Sequence, residues 1–310
     1  MESSMAKRFE AIAKIHEISV FHTELDNFLS QNKIVNLIRR LKSKQRLLEA
    51  VKELEAFVSN KKVEQVFFST AEGYASHNVI KHMQSRRPDI EYIALQHGLF
   101  PLNYSQTREA FRSSLNGLCK KIFGVFPFGA GFGGLVLDKY YVYTEREKKY
   151  LIGTRGWKSS QVYVKLNFIK ADIFLEYKKR DLKQDKANAI FLLQCLSRSG
   201  LCSPLQEAFY NKKIIETLSK KYNKLFVKEH PGCPNLLSQL QLPANVIVLD
   251  NIFDGFARCK TAYSFFSTAL LDAKIFNLRT VGVKIDKLKI DSQIYTTFDS
   301  TLKFEDNFTA

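Results

Sequence analysis

The rhythm of apolar and polar positions changes along this chain and divides it into three stretches. Between residues 5 and 58 apolar side chains recur every three or four positions. Phe9, Ile12, Ile15 and Ile18 form one series, and Ile34, Leu37, Ile38, Leu41, Leu48, Val51 and Leu54 another. That period places them on one face of a helix, so this stretch is expected to be mostly helical. Past residue 60 short runs rich in Val, Ile, Tyr and Phe alternate with helical patterns. Strands are expected at 63–68, 91–96, 139–143 and 161–164. Helices are expected at 75–83 and at 145–152, the latter stopping near Gly153. Residues 171–187 carry many Lys and Asp and little apolar periodicity, which reads as a linker. A second alternating series follows, with strands at 189–194, 224–227, 245–249, 261–264 and 280–283, and helices at 207–221, 252–258 and 267–276. Alternation of this kind predicts parallel sheets covered by helices on both faces. The expected organisation is an N-terminal domain over 1–170 (helical over 1–60), a linker over 171–187 and a C-terminal domain over 188–310. Both domains are read as doubly wound α/β units facing a cleft.

One segment fits neither pattern. Residues 122–137 are the most apolar run, but Gly124, Pro127, Gly129, Gly131, Gly133 and Gly134 interrupt it. It reads as a long mobile loop with Phe126, Phe128 and Phe132 exposed. It either folds over the core or dips into a membrane or over an acceptor.

Charge narrows the partners. The chain has 310 residues, with 47 Lys plus Arg against 31 Asp plus Glu, for a formal net charge of +16. Such a surplus favours anionic polymers or anionic membrane. Lys33, Arg39, Arg40, Lys42, Lys44 and Arg46 crowd one predicted helix, which is either a solvated face or a surface for anionic lipid or polymer. No zinc-finger, RNP or helix-turn-helix pattern is present, so no nucleic acid partner is expected. No run of about 18 apolar residues is present, so no spanning helix is expected. The N-terminus is charged and has no apolar core, so no signal peptide is expected. The five cysteines, Cys119, Cys195, Cys202, Cys233 and Cys259, are odd in number and lack metal-type spacing. They fit a reducing cytosol better than a disulfide framework. Cys202, Cys233 and His230 do not make a recognisable ligand set, and no metal is expected. The expected location is the cytoplasm, at the inner face of the cytoplasmic membrane.

The candidate chemistry sits at strand ends, where open parallel sheets bind ligands. His230 follows the strand at 224–227, and Pro231 holds it in an extended backbone. A protonated imidazole there would donate to a phosphate oxygen as a bond to that phosphate breaks. Ser264, Ser267 and Thr268 surround the turn into the next helix. Hydroxyls at such a place cap the helix or bind an anion, and the two roles are compatible. Lys228 adds a positive charge. Ser197, Arg198, Ser199 and Gly200 follow the first strand of the second domain and suit either a nucleotide contact or a plain turn. In the first domain Glu72 follows a strand end and is placed to act as a general base or to complement a helix dipole. His97 ends the next strand and is the rival base. His77 and His82 lie five apart on one helix and read as structural.

These residues resemble a known group. Lys228-Glu229-His230-Pro231 together with Ser267-Thr268 resembles the HP and Ser/Thr motifs of bacterial sialyltransferases, including capsular polysialyltransferases and lipooligosaccharide sialyltransferases. Glu72-Gly73 looks like a reduced form of their paired-acid-Gly motif, with Ala71 in the first acidic place. Gln96-His97-Gly98 is similar to a pattern of wider capsule and surface-polysaccharide transferases, some of which transfer Kdo. The resemblance covers the chain from residue 60 onward. It implies a GT-B fold of two Rossmann-like domains and an inverting, metal-independent transfer with no cofactor besides the sugar nucleotide. The donor would be a CMP-activated acidic sugar and the acceptor an anionic cell-surface glycan or glycolipid. In that scheme Glu72 is the base, His230 assists departure of CMP, and Ser267 with Thr268 holds its phosphate. The alternatives are a related transferase using a Kdo, UDP-sugar or glycerophosphate donor, a sugar-nucleotide epimerase, or a non-catalytic protein that binds polyanions or membrane.

Overall fold

A computed structural model describes residues 33–308, apart from 69, 70, 72, 97, 100–105, 166–182, 234 and 239. The chain divides into two compact units. One comprises Met1–His97 and Leu102–Lys165, the other Gly98–Pro101 and Leu166–Ala310.

In the first unit, helices α1 (Lys33–Lys42) and α2 (Lys44–Asn60) precede the sheet. They break at Ser43, whose hydroxyl donates to the Arg40 carbonyl at 2.8 Å and competes with the helical ladder there. Leu47, Ala50, Val51, Leu54 and Val58 turn inward from α2, the stripe that the helical period requires. Four parallel strands follow, β1 (Gln65–Phe68), β2 (Glu91–Leu95), β3 (Lys139–Val142) and β4 (Val162–Val164), adjacent in sequence order. Their crossovers are α3 (Tyr74–Arg86), α4 (Gln106–Phe123) and α5 (Glu145–Arg155). Helix α5 runs past Gly153 and ends at Gly156, whose φ of 74° is the left-handed cap that glycine adopts without penalty.

The glycine-rich segment is not the loose, Phe-exposing loop that its composition predicts. Asn78, fully buried on α3, donates to the Phe126 carbonyl at 2.7 Å and accepts from the Phe126 amide at 2.8 Å. Asn116 on α4 holds the carbonyl and amide of Phe128 in the same way, at 3.1 and 3.0 Å. The Arg40 guanidinium donates to the Pro127 carbonyl, and the Trp157 indole to that of Gly133. Phe126 stacks on His77 with 4.7 Å between centroids, and Phe132 is only 7% exposed. Side-chain amides thus supply the hydrogen bonds that a strand partner would give. His77 and His82 are structural: His77 meets the Phe128 carbonyl and His82 that of Asn78 through Nδ1.

The second unit is a six-stranded parallel sheet. Its strands are β5 (Asp185–Leu192), β6 (Lys224–Lys228), β7 (Val246–Val248), β8 (Cys259–Ser264), β9 (Arg279–Lys284) and β10 (Ser300–Lys303), in spatial order β10-β9-β8-β5-β6-β7. The helices are α6 (Pro204–Lys221), α7 (Ile252–Arg258), α8 (Ala269–Ile275) and α9 (Phe304–Asn307). Alternate residues of β5 feed opposite cores, as a two-sided strand requires. Ala189 and Phe191 pack with Tyr210, Ile214 and Leu218 of α6. Ile190 and Leu192 pack with Phe253 and Phe256 of α7 and with Leu270 and Ala273 of α8. The chain therefore sends α6 to one face and α8 to the other, and the connections part between β5 and β8.

A candidate anion site at the carboxyl ends of three strands

The parting of connections in a doubly wound sheet opens a crevice beyond the strand ends. Here the three relevant strands end level, with Leu192 of β5 paired to Lys228 of β6 on one side and to Ser264 of β8 on the other. The loops that leave these ends carry most of the sequence-predicted residues.

His230 lies two residues past β6. The Gly232 amide donates to its Nδ1 at 3.0 Å, and Cys195 Sγ lies 3.3 Å from the same nitrogen. Because Nδ1 accepts, the neutral ring carries its hydrogen on Nε2. A Cβ at Gly232 would stand 3.2 Å from Nδ1, so the close approach of this amide favours glycine. The ring is exposed, yet its inner edge is crowded. Desolvation, followed by the charges of Arg198 and Lys228, lowers its pKa below the ordinary histidine value. The expected protonated imidazole is therefore corrected: without ligand the ring is neutral near pH 7 and offers an Nε2–H donor, not a full charge. A bound phosphate would favour the charged form and draw the pKa back up.

Several bonds fix this turn. The Glu229 carboxylate accepts from the amides of Leu237 at 2.7 Å and Asn235 at 3.3 Å. The Arg198 guanidinium donates to the Gly232 carbonyl, so Arg198 stands beside the His-Pro-Gly turn. Pro231 is exposed within it. Lys228 turns its ammonium onto the Glu229 carbonyl at 2.9 Å. Cys195 and Cys233 form a disulfide with Cα atoms 5.9 Å apart, which corrects the expectation of free thiols. Adjacent parallel strands bring the two loops within bridging distance, a proximity that a sequence separation of 38 does not reveal.

The loop after β5 is organised by a residue that sequence reasoning missed. Glu207, in the first turn of α6 and only 2% exposed, accepts from the amides of Leu196 at 2.6 Å and Ser197 at 3.2 Å and from the Ser197 hydroxyl at 2.5 Å. The Ser197 hydroxyl is thus engaged by a buried carboxylate. Ser199 and Gly200 complete a turn, with the Gly200 amide bonded to the Ser197 carbonyl and φ at 72°. Helix α6 starts three residues before the expected 207 because of a capping box that the sequence reading did not use: Ser203 and Gln206 exchange bonds at 3.2 and 2.9 Å, with Pro204 at the first helical position.

After β8 the three hydroxyls separate in role. Ser264 is fully buried and donates to the Leu192 carbonyl at 2.7 Å, so it latches β8 to β5 and has no hydrogen for a ligand. This corrects its assignment as a phosphate contact. Gln194 Oε1 accepts from the Phe266 amide at 2.7 Å and ties the β5 and β8 loops together. Ser267 accepts from the Ala269 amide at 3.2 Å and keeps its own hydrogen to give. Thr268 is half-buried at the start of α8 and makes no side-chain cap. The site therefore gathers His230, Arg198, Ser267 and Thr268 on loops from three adjacent strand ends. Glu72 and His97 lie outside the described residues. Gln96, just before His97, is buried and accepts from the Tyr143 amide at 2.8 Å. Among the described residues no group of three or more His, Cys, Asp or Glu is arranged to hold a metal.

The family model described as alpha-2,8-polysialyltransferase (POLYST) matches residues 1–281. No curated protein matches the chain in sequence. Among solved structures, the calicheamicin glycosyltransferase CalG4 is 12% identical at a TM-score of 0.52, the match covering 96% of this chain and 77% of that one. The UDP-GlcNAc 2-epimerase of Methanocaldococcus jannaschii is 11% identical at a TM-score of 0.53, covering 96% of this chain and 78% of that one. Likeness at this identity is likeness of fold, and the fold is GT-B.

Proposed function

The chain belongs to the alpha-2,8-polysialyltransferase family, and we propose that it moves a sialic acid-type sugar from a CMP-activated donor to a cell-surface glycan, with inversion and without a metal. That it is a glycosyltransferase follows from the family. The donor, stereochemistry and acceptor are the further reading. The observation that carries it is the state of His230: an exposed ring at a strand end, its Nδ1 committed to the Gly232 amide, its Nε2–H left to donate.

In the proposed step, a base takes the proton of an acceptor hydroxyl. Its oxygen bonds to the anomeric carbon, and the bond from that carbon to the CMP phosphate oxygen breaks. The electron pair leaves with the phosphate. Nε2–H of His230 and the guanidinium of Arg198 donate hydrogen bonds to the departing phosphate oxygen and meet the charge that develops there, with the ring staying neutral and keeping its proton. The hydroxyls of Ser267 and Thr268 complete the cradle. Glu72 is the proposed base and His97 its alternative. The basic surplus supports an anionic acceptor, capsule or lipooligosaccharide, and peripheral contact with an anionic membrane face.

Two measurements test this. A thermal-shift series with CMP, CDP, UDP and GDP is expected to respond to CMP, with about 2.7 kcal/mol of stabilisation at about 100 times the dissociation constant. A response to UDP alone would replace the donor. His230→Ala is expected to stay folded and to lose transfer by about 100-fold or more. Wild-type turnover in that variant would remove the leaving-group role.

A further inference from the structure

Helix α4 presents its sides in reverse. The face turned to the protein is polar and bonded. Glu109 pairs with Arg155 at 3.4 Å and with Arg112 at 3.5 Å. Asn116 holds both backbone groups of Phe128. Lys120 donates to the Gly124 carbonyl at 3.1 Å and lies 3.2 Å from His82 Nε2. The face turned to solvent is apolar. Phe111 is 68% exposed, Leu118 54%, Ile122 62% and Phe123 41%. Phe111, Leu115, Leu118 and Ile122 fall at i, i+4, i+7 and i+11, a single stripe about 17 Å long. The polar contacts on the opposite side fix this orientation, so the stripe cannot roll inward without breaking them.

The rim of the stripe carries a cation, Lys121, which is exposed beside it. From residue 110 to 123 the helix has no acidic residue. An apolar stripe edged by Lys within a chain of net charge +16 is the pattern of a helix that lies in a bilayer interface, apolar side in the acyl region and cations at anionic headgroups. No described helix is long and apolar enough to cross a membrane. We infer that the outer face of α4, through Phe111, Leu118 and Ile122 with Lys121, seats this protein on an anionic phospholipid surface. The inference rests on the proposed membrane placement and replaces the glycine-rich segment as its apolar contact, since Phe126 and Phe132 are engaged within the fold.

The test is co-sedimentation of the full chain with vesicles of phosphatidylcholine, with and without phosphatidylglycerol. The wild type is expected to bind the anionic vesicles. Phe111→Ser/Leu118→Ser/Ile122→Ser is expected to lower partition by at least about tenfold, and Lys121→Glu by about fivefold or more. Both variants are expected to keep the wild-type thermal midpoint and its response to CMP. Unchanged partition of the triple variant would overturn the surface while leaving membrane placement intact. Failure of the wild type to bind anionic vesicles would overturn both, and an intact CMP response would then leave the transfer reading standing. A lipid-free dimer that the triple variant dissociates would assign the stripe to a second copy instead. A lowered midpoint with unchanged partition would assign it to the chain's own residues.

Discussion

Ser264, Ser267 and Thr268 are the same kind of side chain within five positions, yet they do different work because their hydrogens go to different places. Ser264 gives its hydrogen to the Leu192 carbonyl inside the sheet. Ser264→Ala should therefore cost about 1–3 kcal/mol of stability, the cost of leaving a buried acceptor short of its partner. Chemical denaturation reads that loss, and KM and kcat should stay at wild-type values. A raised KM with unchanged stability would return Ser264 to the ligand. His230 was legible in the sequence because Pro231 fixes the backbone beside it and a strand pattern leads up to it. Its protonation was not legible, since that depends on the crowding of the ring and on the charges of Arg198 and Lys228, which only the folded loops assemble. Glu207 and Gln194 were not legible for a similar reason. Each looks like an ordinary polar residue at a helix start or strand end until the amides of Ser197 and Phe266 are brought to it.

At the scale of elements, the strands were readable because β-branched and aromatic runs bounded by polar residues leave few other structures open to them. Strand β10 and helix α4 were not read. In α4 the apolar stripe is genuine but faces outward, and what faces inward is Glu109, Asn116 and Lys120, residues that a hydrophobic pattern assigns to solvent. The glycine-rich segment was misread because its order comes from Asn78 and Asn116, which lie 48 and 12 residues from their partners. This gives a test of what holds it. Asn78→Ala removes three bonds, one to the Tyr74 carbonyl within the helix and two that leave the Phe126 amide and carbonyl without partners, so a loss of about 2–4 kcal/mol is expected in urea denaturation. Asn78→Asp keeps the acceptor for the Phe126 amide and should lose less at a pH where the residue is protonated. Equal stability of Asn78→Ala and wild type would show that the aromatic contacts alone order the segment.

At the scale of the whole molecule, the division into two parallel-sheet units followed from alternating periodicity, and the pH response follows from where the histidines ended up. His77, His82 and His230 all have pKa values lowered from the ordinary 6.5, in each case with desolvation as the largest cause. The sign is the same for all three. The unfolded chain takes up protons first as pH falls through about 6.5, so unfolding is favoured over that range and stability declines toward the lower folded values. Stability from these groups is thus fully present above pH 6.5 and lost below it. The net charge of +16 pushes in the same direction, because each added proton joins an already positive surface. Salt separates the two causes. Repulsion between exposed charges fades beyond the Debye length, about 10 Å at 0.1 M and about 3 Å at 1 M, whereas desolvation of a packed ring does not. The midpoint of chemical denaturation should therefore fall between pH 7 and 5 at low salt, and most of the fall should persist at 1 M salt. A fall that disappears at high salt would place the pH dependence in general repulsion and leave the three rings without a part in it.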